Sequence, residues 1–308
     1  MKLAVESEPG KSRMVKALSC DIEPLMDSEA SLLWLGNRTT AKTIVLFLHG
    51  GGYIAPLLPG HLEWCWRAFV STGQEAREDV AVAILEYTLC PEAQYPIQLR
   101  QAASGLHHLL QSGRRLDDIV ICGDSAGGNL AAQLAMHMCY AVPSVQPILA
   151  TGRLKAVCLI SPWLSMKTNH ESFITNGSID MLSAGTVSKS TKYLFRDYDA
   201  RKGSSGYHDQ AFPLDWDGPP VDKISTVTSR FYITVGEYEV FRDQAVQAVA
   251  KIRTTNPNLD VVFELQKDMA HDFILLEGQS GRSGECMKNM KRWILGVLSA
   301  DEKPCTSL

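Results

Sequence analysis

No stretch of this sequence approaches the ~18–20 consecutive apolar residues that cross a bilayer, so no membrane span is expected. Lys2 is followed by a very short apolar stretch cut off by Glu6 and Glu8. A secretory leader needs a longer uninterrupted apolar region, so none is read and a cytoplasmic location is the expectation. There is no basic block either. Lys and Arg total 30 against 34 Asp and Glu, a formal charge of −4, which gives no electrostatic reason to expect nucleic acid or an anionic membrane surface as partner. The eight cysteines, at 20, 65, 90, 122, 139, 158, 286 and 305, lack C-x-x-C and Cys/His ligand spacings. Neither a disulfide framework nor a metal site is implied, and Cys122 and Cys158, inside apolar runs, read as buried free thiols. Asn37-Arg-Thr39 and Asn176-Gly-Ser178 match the glycosylation acceptor but mean little without secretion. Cys305-Thr-Ser-Leu308 has only the outline of a prenylation box, because its middle positions are not aliphatic. No internal repeat is visible. At 308 residues with 45% hydrophobic and 21% charged residues, the chain reads as one large globular α/β domain or two smaller ones.

What is present is alternation. TIVLFL (43–48), VAVAIL (80–85), IVIC (119–122), AVCLI (156–160), FYITV (231–235) and VVFEL (261–265) are short, continuously apolar and β-branched, the pattern of strands covered on both faces of a parallel sheet. Residues 96–112, 125–137, 241–255 and 284–299 show helical spacing between them. Strand–helix alternation specifies an α/β sheet with right-handed crossovers. Residues 165–220 interrupt it, rich in Ser, Gly, Asn and Asp with helical potential around 182–195. A structureless loop that long is uncommon in a compact domain, so this stretch reads as a partly helical lid inserted between 41–164 and 221–308.

Gly123-Asp-Ser125-Ala-Gly127 directly follows IVIC and directly precedes a helical pattern. That is the strand–turn–helix setting in which a G-x-S-x-G serine is held on a strained elbow, above a helix N-terminus that favours negative charge. His49-Gly-Gly-Gly52-Tyr53 follows TIVLFL. Its glycines let backbone N–H groups approach a substrate oxygen, so Gly51 and Gly52, joined by the N–H of Ala126, are the expected oxyanion donors. His49 precedes the elbow and borders a strand, and it reads as a turn-stabilising residue. A serine nucleophile needs a base, and the base an orienting acid. Of the later histidines, His137 lies on the elbow helix and His170 and His208 in the insertion. His271 follows VVFEL, at a strand's carboxyl end where sites of open α/β sheets form. Glu237, Glu239 and Asp243 follow FYITV as candidate acids. Glu239 is preferred, since Glu237 sits too close to the turn and Asp243 belongs to the first helical turn; any of them could instead be a solvated loop carboxylate.

With HGGGY, GDSAGG, EYEVFRD and HDF in that order, the chain resembles the α/β-hydrolase family related to hormone-sensitive lipase, which includes bacterial family IV esterases, arylacetamide deacetylases and fungal steryl acetyl hydrolases. Glu86-Tyr-Thr-Leu-Cys-Pro-Glu92 with Tyr95-Pro96, and Ser161-Pro-Trp-Leu164, are supporting matches. The resemblance runs from about 43 to 297. It implies an eight-stranded, mostly parallel sheet flanked by helices under a helical cap made of residues 1–40 and 165–220. It also implies Ser125, Glu239 and His271 as the triad, Gly51, Gly52 and Ala126 as oxyanion donors, and hydrolysis of a small-molecule ester or lactone. No metal or organic cofactor is required. Glu239 replaces the family's commoner Asp, while Glu86 and Thr88 stand where Asp and Arg are usual, which loosens the expected support of the site. Tyr53, Trp163, Phe212, Trp216 and Phe273, with Asp124 beside the nucleophile, are the candidate substrate contacts, and as aromatics they suit a bulky apolar substrate. Two alternatives share the motifs: a biosynthetic tailoring enzyme that cyclises or transfers an acyl group, and a small-molecule receptor of the same fold. A homodimer is left open, as some relatives pair through sheet edges.

Overall fold

The apolar runs become strands because each can be buried on both faces. The structure, a computed structural model, describes residues 21–26, 28–195, 210–216, 221–281 and 283–299. Residues 1–20 of the expected cap, 196–209 and 217–220 of the insertion, Cys20, His208 and the Cys305–Leu308 box lie outside them. The strands are β1 (Asp21–Pro24), β2 (Ser31–Leu35), β3 (Thr43–Leu48), β4 (Val80–Glu86), β5 (Ile119–Asp124), β6 (Ala156–Ile160), β7 (Arg230–Gly236) and β8 (Asp260–Gln266). They form one eight-stranded sheet in the order β1-β2-β4-β3-β5-β6-β7-β8. From β4 to β8 every pairing is parallel, while β1 and β2 add an antiparallel edge.

Asp21–Pro24 and Ser31–Leu35, expected in the cap, are strands of the sheet instead. Leu32–Leu35 are buried in a run too short to show a period. The polar outer strand β1 is held by the Trp34 indole N–H on the Glu23 carboxylate (2.9 Å) and by Arg38 on Asp21 (2.7 Å).

The helices are α1 (Pro59–Cys65), continued by a π-helical turn at Trp66–Val70 into α2 (Ser71–Glu75), then α3 (Ile97–Gln111), α4 (Ser125–Cys139), α5 (Glu171–Asn176), α6 (Ala184–Leu194), α7 (Ile224–Val227), α8 (Arg242–Thr255), α9 (Phe273–Ser280) and α10 (Glu285–Ser299). Alternate residues of β3 divide between two cores. Ile44, Leu46 and Leu48 pack with the buried faces of α3, α4 and α8; Val45 and Phe47 pack with Trp64, Phe69 and the Met287–Met290–Ile294–Val297 stripe of α10. Cys122 and Cys158 are register partners on β5 and β6, and each is a buried free thiol.

This topology decides where chemistry can sit. After β3 the chain crosses to β4 on one side and then to β5 on the other, so the crevice at the carboxyl ends of β3 and β5 is a switch point of the winding. Leu48 is register partner of Gly123, which puts HGGGY beside the G-D-S-A-G turn. Gly236 pairs with Gln266, which puts the loops after β7 and β8 side by side. Among the described residues, no helix is long and apolar enough to cross a membrane.

Candidate active site

Ser125 stands between β5 and α4 at φ 52°, a conformation that costs a non-glycine residue energy and persists only where the surroundings enforce it. The enforcement is steric. A Cβ on Gly127 would overlap the carbonyl oxygens of Leu48 and His49, so β3 and the elbow helix approach as closely as backbones can. Gly127→Ala is therefore expected to destabilise the fold by about 3 kcal/mol or more, read as a lowered thermal midpoint together with lost activity.

Three loops converge at this turn. The Ser125 Oγ lies 2.8 Å from His271 Nε2, and His271 Nδ1 lies 3.0 Å from Glu239 Oε2. Glu239 and His271 are almost fully buried. The other Glu239 oxygen accepts the Ser161 hydroxyl and the Gly236 N–H, both at 2.6 Å. The carboxylate is thus fully hydrogen-bonded in its loop, and the longer Glu arm is absorbed by that tight turn. The two rival acids are engaged elsewhere. Glu237 accepts the Asp268 N–H (3.1 Å), and Asp243 accepts the Ser172 N–H (2.7 Å) and pairs with Arg242. The Phe241 ring meets the His271 imidazole edge-on at 5.2 Å, which limits its rotation.

The insertion ties these loops together. Asp180 accepts the N–H of His271 (3.0 Å) on one oxygen and the N–H of Val240 (2.7 Å) on the other. The Asn176 amide donates to the carbonyls of Glu239 (2.9 Å) and Glu237 (3.2 Å). Sequence reading missed both residues, because their partners are 91 and 63 positions away.

It also missed Asp272, which holds φ 53° and places a carboxylate oxygen 3.4 Å from His271 Nε2; its other oxygen is buried with no hydrogen-bond partner among the described residues. Burial alone would lower the His271 pKa, but Asp272, Glu239 and Asp180 outweigh it and hold the imidazole up at about 9. Burial in turn pushes the Asp272 carboxyl up to about 7, with His271 pulling the other way and the charges of Asp124 and Glu239 adding to the rise.

On the opposite wall, Gly51 and Gly52 take φ 107° and 61°, and the turn is closed by the N–H groups of Ile54 and Ala55 on the Gly51 carbonyl (3.0 and 2.9 Å). Asp124, read as a substrate contact, is fully buried beneath this loop. It accepts the Gly50 N–H (3.0 Å) and faces His61 Nε2 (3.1 Å); since the Leu58 N–H donates to His61 Nδ1 (3.1 Å), the ring proton points at Asp124. Asp124 anchors the glycine loop to the elbow. His49 Nδ1 lies 2.8 Å from the Gly50 carbonyl and its ring stacks on Tyr87 at 4.4 Å. Burial lowers its pKa to about 4, so it is a neutral turn residue.

The aromatic candidates scatter. Tyr53, Trp163 and Phe212 are buried beneath the site; the Tyr53 hydroxyl donates to Asn129 (2.5 Å), and Trp163 packs 4.8 Å from Phe212 and 6.3 Å from Phe241. Phe273 belongs to the core on the other face of the sheet. Trp216 packs edge-on against Tyr140, beyond the far end of α4 and so about 20 Å along its axis from Ser125. Packing needs claimed these rings, and the structure brings neither Phe273 nor Trp216 to the Ser125–His271–Glu239 cluster. At the departures from the family pattern, Glu86 is exposed and accepts the Ser31 hydroxyl (2.9 Å). Thr88 is tied by its N–H (2.8 Å) and hydroxyl (2.7 Å) to Gln101, so α3 supplies the support.

Residues 45–275 match the family described as alpha/beta hydrolase fold. Among characterised proteins, an esterase of Acinetobacter venetianus is 28% identical over 218 residues, 70% of this chain and 65% of its own. The putative steryl acetyl hydrolase mug81 of Schizosaccharomyces pombe is 25% identical over 272 residues, 85% of this chain and 68% of its own. The chain thus spans about two thirds of the length of these relatives. Among solved structures, an esterase from the bacterial hormone-sensitive lipase family superposes with a TM-score of 0.70 at 19% identity, over 95% of this chain and 92% of that one.

Proposed function

This chain belongs to the α/β-hydrolase fold family, and from that premise we propose that it hydrolyses a small-molecule carboxylic ester through an acyl-enzyme on Ser125. The observation that carries the reading is the continuous relay from Glu239 Oε2 to His271 Nδ1 (3.0 Å) and from His271 Nε2 to Ser125 Oγ (2.8 Å). His271 removes the Ser125 proton as Oγ bonds to the ester carbonyl carbon, and the carbonyl oxygen becomes an oxyanion on the N–H groups of Gly51, Gly52 and Ala126. One such donor is worth about 3 kcal/mol in the transition state. Collapse expels the alcohol, which takes the proton from His271. Water then gives its proton to the same nitrogen, attacks the acyl carbon and releases the acid and Ser125. Glu239 holds the tautomer with its proton on Nδ1 and stabilises the imidazolium.

For the substrate, we propose a short acyl group on a bulky apolar alcohol. Ile174, Ile179 and Met181 are 80%, 56% and 67% exposed on the segment whose Asn176 and Asp180 bond to the backbone of the loops carrying Glu239 and His271, an apolar surface that suits an apolar alcohol. A relative carrying the name steryl acetyl hydrolase supports the same pairing. The test is turnover of p-nitrophenyl esters of graded chain length and of acetates of bulky apolar alcohols, alongside labelling of Ser125 by a fluorophosphonate. Acetate and butyrate should be cleaved faster than long acyl chains. Labelled Ser125 with no turnover of any ester would overturn hydrolysis in favour of internal acyl transfer, and no labelling would overturn the nucleophile.

A further inference from the structure

We infer that Ser190, carried by the insertion, is a further catalytic residue whose hydroxyl donates to the substrate carbonyl oxygen beside Gly52; the inference rests on reading Gly51, Gly52 and Ala126 as the oxyanion donors. The buried stripe of α6 is Val187, Ser190, Thr191 and Leu194, so Ser190 faces into the molecule and is only 8% exposed. Four threonines in the helices of this chain satisfy their hydroxyls on the carbonyl one turn back. Thr175, Thr191, Thr254 and Thr255 bond to Glu171, Val187, Ala250 and Lys251 at 3.2, 3.0, 2.9 and 2.9 Å. Ser190 makes no such bond, nor a side-chain hydrogen bond to any other described residue. Its hydroxyl points at the oxyanion loop instead. A Cβ on Gly52 would lie 2.8 Å from Ser190 Oγ and 3.6 Å from Ser190 Cβ, and among the described residues not adjacent in the chain no other lies within 4 Å of it. Among the described residues not adjacent in the chain, Ser190 is thus what faces the side of Gly52 that lacks a side chain.

An inward-facing hydroxyl without a hydrogen-bond partner among the described residues, on the side of an oxyanion glycine that lacks a side chain, has a natural acceptor in the oxygen that gains charge when Ser125 attacks. A neutral ester carbonyl draws weakly on such a donor and an oxyanion strongly, so the contact acts in the transition state more than in the ground state. It also makes the insertion part of the catalytic site. Ser190 is held there by the Tyr95 N–H on the Leu194 carbonyl (3.1 Å) and the Gln94 amide on the Tyr193 carbonyl (3.2 Å).

The test compares Ser190→Ala and Ser190→Cys with the unaltered chain and with Ser125→Ala, using p-nitrophenyl acetate and a trifluoromethyl ketone that forms a tetrahedral adduct on Ser125. Cysteine keeps the volume and loses the strong donor. Both Ser190 variants should lower kcat by about 10²-fold with KM nearly unchanged, and weaken the ketone by a similar factor, at a thermal midpoint close to that of the unaltered chain. Full activity in Ser190→Cys with loss only in Ser190→Ala would make Ser190 a packing residue and overturn the inference, as would a change confined to KM. In those cases an inactive Ser125→Ala leaves the hydrolase reading standing, whereas an active Ser125→Ala removes that reading itself.

Discussion

Ser125→Ala should lower ester turnover by about 10⁵–10⁶-fold, and His271→Ala by a similar factor, because nucleophile and base act as one unit. Glu239→Ala should cost about 10⁴-fold, since an unanchored imidazole adopts the wrong tautomer. The double variant Ser125→Ala/Glu239→Ala should be no worse than Ser125→Ala alone; with no serine to activate, an oriented base has nothing to do. Glu237→Ala and Asp243→Ala should stay within a few-fold of the unaltered chain. Their carboxylates serve the Asp268 and Ser172 backbone N–H groups, which shape the loop rather than meet the imidazole. Steady-state kcat/KM on p-nitrophenyl acetate measures the whole series. A functional Glu239→Ala beside a dead Glu237→Ala or Asp243→Ala would overturn the choice of acid.

The second large effect is on pH. Only the neutral imidazole can take the Ser125 proton, and the carboxylates around it hold His271 protonated up to about 9. The sign follows directly: kcat/KM rises with pH through neutrality and levels off only in the alkaline range. Activity at pH 7 should therefore lie well below its alkaline plateau. Asp272 contributes most to that hold among the charges. Asp272→Asn keeps the shape and tolerates the φ of 53°. It should move the acid limb to lower pH and raise activity at pH 7. Because burial raises the Asp272 carboxyl toward the imidazole it faces, the two groups titrate as a pair, and the limb of the unaltered chain should be broader than that of one ionisation. A limb below the ordinary histidine value of 6.5, or one that Asp272→Asn leaves in place, would show that these carboxylates do not govern the base.

Much of the candidate site's geometry was legible because it is written locally. Ser125, Gly127 and the HGGGY loop each sit where a strand must turn within a few residues, and only particular side chains survive such turns. His271 was legible by elimination. Glu239 was legible only as one of three neighbours, because which carboxylate swings inward depends on Ser161 and Gly236 receiving its other oxygen. Asp180, Asp272 and Asn176 carry no local signature; they matter through what they touch. The aromatics misled for the complementary reason. Their size is visible in a sequence, but whether a ring lines a cavity or fills a core is decided by its neighbours, and Phe273 went to the opposite face of the sheet from Trp163. Residues 21–35 escaped notice because a short edge strand shows too few residues for a period.

The order of the chain by itself determined the α/β alternation and the turn chemistry after β3 and β5, since periodicity and glycine placement act over a few residues. Tertiary structure alone decided that the insertion's carboxylate at 180 bonds to the backbone of His271 and Val240 and that its hydroxyl at 190 lies beside Gly52. Hydrogen bonds and charge couplings of that kind depend on distance in space, and only the closed sheet brings those groups to it.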